Sequence, residues 1–114
     1  MMEVRFYCTE TGNEPVRDWL KELDRVDRRE IGNDLQTVQL GWRSGLIGEP
    51  LVKSFGAGLF EIRSTLLNGH CIARTFFCLS DQTIVLLHAF IKKTKKTQNK
   101  ELELAKKRQK TLKK

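Results

Sequence analysis

The chain has 114 residues, of which 39% are hydrophobic and 31% are charged, and its formal net charge at pH 7 is +7. These values fit one domain, residues 1–114, whose core needs neither disulfides nor a metal ion. No apolar run approaches the roughly 18 residues of a membrane span, and the start MMEVRFYC is too charged for a signal peptide. We therefore expect a cytoplasmic protein with no membrane partner.

The N-terminal part of the chain predicts one strand and two helices. Alternating apolar residues over 4–8 have the period of a half-buried strand. Apolar residues then recur at helical spacing over 16–23 and again over 31–42, which predicts two amphipathic helices that form a hairpin over a sheet. Asp27 and Glu30 have the spacing of a capping box, so the second helix is expected to begin at Asp27.

The remainder of the chain predicts four strands and a last helix. The strands are expected over residues 51–55, 59–67, 70–79 and from residue 83 onward, and the helix over residues 98–112. Asn68-Gly69 is the strongest hairpin signal, typical of a two-residue type I′ turn. The sequence therefore predicts an α+β fold: a strand, a two-helix hairpin, a four-strand antiparallel meander and a C-terminal helix.

The positive charge is concentrated at the C-terminal end. Residues 92–114 contain eleven lysines or arginines against two glutamates, a net charge of +9, whereas residues 1–91 carry a net charge of −2. Such asymmetry favours a nucleic acid or an acidic partner. The alternative is a solvated lysine tail that only keeps the protein soluble, and charge alone does not separate the two.

The Asn68-Gly69 turn fixes the register of the strands that it joins. Leu67 must face His70, so Arg63 lies directly opposite Arg74. Like charges directly opposed on one sheet face are destabilising, and the pair needs an anion. Two anions remain open: the side chain of Glu61, which would complete a surface Arg-Glu-Arg cluster, or a bound phosphate.

The next turn, residues 80–82, does not specify its own length. With a three-residue loop Arg74 faces His88, and with a two-residue loop it faces Ala89. In the first register a row of cationic or titratable side chains crosses three adjacent strands and ends at the strand terminus: Arg63, Arg74, His88, Lys92 and Lys93.

This row contains the groups that phosphodiester cleavage needs. Fixed cations stabilise the oxyanion of the transition state, and a group that titrates near neutral pH transfers a proton. The sequence shows no carboxylate cluster for magnesium, so we expect neither metal nor cofactor. The competing interpretation makes His88 a hydrogen-bonded core residue, which is the commoner role for a single histidine in an apolar strand.

Five segments carry a family resemblance. They are NEPVRDWL at 13–20, GLFEIR at 58–63, RTFF at 74–77, TIVLLHAFIKKTKKT at 83–97 and KELELAKKR at 100–108. Together with the order of elements, they resemble the RelE/ParE superfamily of small bacterial toxins, and within it the HigB-like, phage-derived branch.

The resemblance implies a function. HigB-like proteins are toxins of type II toxin–antitoxin systems, metal-independent endoribonucleases that cut messenger RNA on the ribosome through attack of a ribose 2′-hydroxyl on the adjacent phosphate. The implied partners are messenger RNA, ribosomal RNA and a cognate antitoxin, expected to be a small helix-turn-helix DNA-binding protein. Two alternatives remain open: a ParE-like inhibitor of DNA gyrase, and a basic module that binds RNA or the ribosome without catalysis.

The resemblance also gives residues their roles. Arg63 and Arg74 would hold the scissile phosphate. His88 would act as acid or base, while Lys92 and Lys93 would stabilise developing charge. Further contacts to the RNA backbone, to a base and to ribosomal RNA are expected from Lys53, Phe90, Lys95, Lys96 and Lys100.

Overall fold

Five strands and three helices make up the part of the chain that the computed structural model describes, residues 2–66, 71–92 and 99–112. In chain order they are β1 Glu3–Phe6, α1 Pro15–Glu22, α2 Arg25–Gly41, β2 Val52–Ser54, β3 Leu59–Thr65, β4 Ile72–Ser80, β5 Thr83–Lys92 and α3 Asn99–Thr111. A single 3₁₀ turn, Trp42–Ser44, follows α2. The predicted α+β class and order of elements are confirmed. Within the described residues, no helix is long and apolar enough to cross a membrane.

The strands form one mixed sheet in the order β1-β5-β4-β3-β2. Strands β2 to β5 are the predicted antiparallel meander, and β1 pairs with β5 in parallel. The helical hairpin carries the chain from one edge of the sheet, β1, to the other, β2. This path leaves β5 as an interior strand, in agreement with its almost continuously buried apolar run.

Helices cover both faces of the sheet. Helices α1 and α2 pack on one face through a core that includes Val16, Val38, Ile62, Phe77 and Leu86. Helix α3 packs on the other face through Leu59, Phe76, Val85, Leu87 and Ala105. Because side chains alternate between the two faces of a strand, each position on β3, β4 and β5 belongs to one of these two layers.

The register of β3 against β4 agrees with the sequence. Arg63 lies opposite Arg74, as a two-residue turn at positions 68–69 requires, although the turn itself lies outside the described residues. The turn between β4 and β5 contains two residues, because Ser80 pairs with Thr83. Asp81 in this turn has φ of +55°, a left-handed conformation that Asp tolerates better than most residues.

A β-bulge then changes the register of β4 against β5. Phe77 pairs with Leu86, but Phe76 pairs with His88, so Leu87 is an extra residue on β5. Arg74 therefore lies opposite Phe90, and both predicted partners, His88 and Ala89, are wrong. Because the side-chain period of a strand is two residues, the inserted residue returns positions 88, 90 and 92 to the face that carries Arg74.

The predicted start of the second helix is also wrong. Helix α2 begins at Arg25 with Asp24 at the N-cap position, and Asp24 makes no side-chain cap hydrogen bond. Asp27 lies inside the first turn, where its negative charge interacts favourably with the positive end of the helix dipole. The Asp27–Glu30 spacing therefore lies within the helix and does not mark its N-cap.

Candidate active site

Glu61 lies between the two opposed arginines. Its Oε1 is 2.8 Å from Nη1 of Arg74 and 3.4 Å from Nε of Arg63. The Arg-Glu-Arg cluster is therefore formed, but it is not a surface cluster, since the side chain of Glu61 is 1% exposed and that of Arg74 is 10% exposed. Glu61 pairs with Phe76 on β4 and with Lys53 on β2, so it has neighbouring strands on both sides.

The cluster keeps an excess of positive charge. Two guanidinium groups share one oxygen of one carboxylate, and Nε of Arg74 is buried without a hydrogen-bond partner within the described part of the chain. A buried donor without a partner costs about 1–3 kcal/mol. Arg63 is 28% exposed and gives the cluster a side that solvent reaches. The cluster can therefore bind an anion in addition to Glu61, because one carboxylate does not neutralise two arginines.

A groove opens beside Arg63 at the edge of the sheet. It has a volume of about 460 Å³, and its lining includes Arg63, Thr65 and Ile72 from the strands and Glu30 and Asp34 from α2. Arg63 therefore contacts both the buried cluster and an open groove.

His88 lies on the same face as Arg74 but is its diagonal neighbour, because it pairs with Phe76. Its Nε2 is 3.2 Å from Oε2 of Glu101 on α3, and its ring stacks on Phe90 with 5.6 Å between centroids. Burial lowers the pKa of His88, and the hydrogen bond and charge of Glu101 oppose this effect without cancelling it. This lowered pKa favours the neutral form of the imidazole at pH 7.

Phe90 and Lys92 complete this part of the face. Phe90 is half-buried opposite Arg74, and its ring also stacks on Phe76 at 6.0 Å. Lys92 is half-buried at the end of β5 and pairs with Ile72. These side chains therefore do not form the straight row expected from the sequence. Phe90 lies directly opposite Arg74, and His88 and Lys92 are the two diagonal neighbours of Arg74 on β5.

The other predicted residues have different positions. Lys53 is half-buried on β2, and its Nζ is 5.2 Å from the centroid of the Phe55 ring. Lys100 is exposed at the start of α3. Three further predicted residues lie outside the described part of the chain: Lys93, Lys95 and Lys96.

Two residues of α3 contact the site and were missed by the sequence reasoning. Glu101 pairs with His88, and Nη1 of Arg108 donates a hydrogen bond to the carbonyl oxygen of Leu87 over 2.8 Å. The available signal was their separation of seven residues, which places both on one face of a helix. Among the described residues, no group of three or more His, Cys, Asp or Glu side chains is arranged to hold a metal ion.

One family model matches most of the chain. It is described as phage derived protein Gp49-like (DUF891), and it matches residues 18–110. The matched range contains β2 to β5, the Arg-Glu-Arg cluster and both residues of α3 that contact the site. The description agrees in general terms with the phage-derived branch that the sequence resembles. No match was found among curated proteins.

Proposed function

Because the chain belongs to the Gp49-like family of phage-derived proteins, we propose that it is the toxin of a type II toxin–antitoxin system. The proposed activity is metal-independent cleavage of messenger RNA on the ribosome. The observation that carries this proposal is the pair Arg63 and Arg74, which shares the single carboxylate of the buried Glu61 on the sheet face that carries His88. Phosphodiester cleavage needs cations that stabilise an oxyanion and a base that accepts a proton, and both kinds of group lie here on one face of the sheet.

Arg63 and Arg74 are proposed to hold the scissile phosphate. A guanidinium group binds phosphate oxygens through two parallel hydrogen bonds, and its charge is permanent. Glu61 fixes both side chains before substrate arrives, so little conformational entropy is lost on binding. The remaining positive charge would stabilise the second negative charge that the phosphate acquires in the transition state.

His88 is proposed to be the general base. The neutral imidazole takes the proton of the ribose 2′-hydroxyl, the 2′-oxygen forms a bond to phosphorus, and the bond from phosphorus to the 5′-oxygen breaks. The leaving 5′-oxygen takes a proton from the imidazolium, which restores the base. The products are a 2′,3′-cyclic phosphate and a 5′-hydroxyl end. Lys92, and Lys93 by its position next in the chain, are proposed to stabilise charge on these oxygens.

The remaining lysines and Phe90 are proposed to bind RNA. Lys53, Lys95, Lys96 and Lys100 would contact phosphates of the message or of ribosomal RNA. Phe90 would offer the open part of its half-buried ring to a base. We also propose a cytoplasmic location and neutralisation by a cognate antitoxin with a helix-turn-helix DNA-binding fold.

One observation favours a second candidate function. Glu61 already occupies one side of both arginines. If its carboxylate keeps phosphate away from the two guanidinium groups when RNA is bound, the protein is a basic module that binds the ribosome without cutting the message.

A cleavage assay with purified components tests the proposal. Ribosomes stalled on a defined message are incubated with the protein, with and without EDTA, and RNA ends are mapped. The proposal expects new 5′-hydroxyl ends on ribosome-bound message in both conditions. Tight ribosome binding with intact message would support the second candidate. Loss of DNA supercoiling by gyrase with intact message would indicate a ParE-like inhibitor instead.

A further inference from the structure

Helix α3 holds the bulge of β5 at two points. Leu87 is the extra residue of the bulge, and its carbonyl oxygen accepts a hydrogen bond from Nη1 of Arg108. The next residue, His88, is held through Nε2 by Glu101. Glu101 and Arg108 are two helical turns apart on one face of α3, so a single helix fixes two consecutive residues of the strand.

The bulge decides where the His88 side chain points. Without the extra residue, the two-residue turn would put Ala89 opposite Arg74 and turn His88 to the opposite face, toward α1 and α2. With it, His88 lies on the side of the arginine cluster. The two contacts from α3 therefore stabilise the strand geometry that brings the imidazole and the guanidinium groups together.

The partner of Nε2 also determines the tautomer of His88. An ionised carboxylate has no hydrogen to donate, so the hydrogen of this bond lies on Nε2. In a neutral imidazole the other nitrogen, Nδ1, then carries the lone pair. The ring is 14% exposed, and Phe90 stacks against it.

We propose that Glu101 is a positioning residue that fixes His88 as the Nε2–H tautomer and leaves Nδ1 to accept the proton of the ribose 2′-hydroxyl. The proposal rests on the proposed function. When Nδ1 takes the proton, the resulting imidazolium faces the Glu101 carboxylate at 3.2 Å, which stabilises it. Among the described residues, the positive charge of Arg108 also acts on the ring and disfavours the imidazolium.

The chain offers a matched control for this proposal. Glu101→Gln removes the carboxylate but keeps a side chain that either accepts from Nε2–H or donates to a bare Nε2, so it tolerates both tautomers. Glu103→Gln makes the same chemical change two residues away on the same helix. Glu103 is 70% exposed and pairs only loosely with Lys106, at 3.8 Å. Glu101→Asp keeps the charge on a shorter side chain.

Two measurements are made on each variant. Long-range ¹H–¹⁵N NMR reports the tautomer of His88 directly, and the chain has only one other histidine, which a His70→Gln variant identifies. We expect Nε2–H in the wild type and in Glu103→Gln, and a mixture of tautomers in Glu101→Gln. In the cleavage assay, Glu101→Gln should lower kcat on the order of tenfold with little change in KM. Its acidic pH limb should move to lower pH, because Glu101 raises the pKa of His88.

The outcomes separate this inference from the proposed function. An Nδ1–H tautomer in the wild type overturns the inference, and so does an active Glu101→Gln variant whose kcat matches that of Glu103→Gln. A wild type that has the expected tautomer but never cuts the message overturns the proposed function and the catalytic role with it. If Glu101→Gln does not fold, Glu101→Asp must retain the Nε2–H tautomer and part of kcat, and failure of a folded Glu101→Asp to do so contradicts the inference.

Discussion

Nη1 of Arg74 donates a hydrogen bond to Oε1 of Glu61 over 2.8 Å, between side chains that are 10% and 1% exposed. The same oxygen lies 3.4 Å from Nε of Arg63. The arginines proposed to hold phosphate are therefore also the structural partners of a buried carboxylate. Folding and activity are coupled at this point, and each activity measurement on the cluster needs a stability measurement beside it.

The two arginines should differ in their contribution to stability. Arg74→Ala leaves a buried carboxylate with one weak partner, and loss of one member of a buried ion pair costs about 3–5 kcal/mol. Arg63→Ala removes a longer contact from a partly exposed side chain, and we expect a cost of about 1 kcal/mol or less. Urea unfolding of both variants measures the difference. Equal losses of stability would show that the burial of Arg74 does not govern its contribution.

Replacement of Glu61 should make the stability of the protein depend on a bound external anion. Glu61→Gln leaves two neighbouring arginines without a counter-charge, so the variant should be less stable than the wild type in chloride. Phosphate should then restore about 1 kcal/mol or more once its concentration exceeds Kd several-fold. Thermal unfolding in phosphate and in chloride measures this gain, and Glu22→Gln on the exposed surface of α1 is the control. The same phosphate gain in both variants would argue against an anion site in the cluster.

The stability of the protein should fall as pH falls below 6.5. Burial lowers the pKa of His88 in the folded chain below the ordinary value of 6.5, so between these two pKa values the unfolded chain binds a proton that the folded chain does not. Above 6.5 the ring is neutral in both states and contributes no pH dependence. Within the window below 6.5, the loss is at most about 1.4 kcal/mol per pH unit.

Comparison of the wild type with His88→Gln isolates this effect. Between pH 7.5 and pH 5.5, the unfolding free energy should decrease more for the wild type than for His88→Gln. A His70→Gln variant controls for the second histidine, which borders the predicted turn. Identical pH dependence in the wild type and His88→Gln would mean that His88 does not titrate differently in the folded chain.

The proposed RNA contacts predict a dependence on salt. Each phosphate contact that a lysine makes contributes to the slope of log K against log salt concentration. Lys100→Ala should reduce the magnitude of this slope by about the contribution of one phosphate contact. It should weaken ribosome binding equally for all messages, without a change in the position of cleavage. Lys21→Ala, on the exposed surface of α1, should leave the slope unchanged. Equal slopes for Lys100→Ala and Lys21→Ala would remove Lys100 from the RNA-binding surface.

The sequence predicted those features that depend on local chemistry. The Asn68-Gly69 turn allows one register only, and the opposition of Arg63 and Arg74 followed from it. The order of strands and helices followed from periods of two and of 3.6 residues. Both signals act within a few residues along the chain, so a sequence is enough to identify them.

The bulge and the contacts from α3 were not predictable in the same way. An extra residue at Leu87 is stabilised by Arg108, which is 21 residues away, and His88 is held by Glu101, which is 13 residues away. No local pattern in an apolar strand marks which residue bulges, because a tertiary contact makes that choice. The burial of Glu61 likewise depends on the neighbouring strands and not on its own segment.

The most direct test of the central claim compares the wild type with Arg74→Lys in the ribosome cleavage assay. Lysine keeps a positive charge beside Glu61 but lacks the planar fork that binds two phosphate oxygens. We expect 5′-hydroxyl ends on ribosome-bound message from the wild type, and at least about tenfold fewer from an Arg74→Lys variant that remains folded. Intact message with the wild type, or equal cleavage by folded Arg74→Lys, would contradict the account.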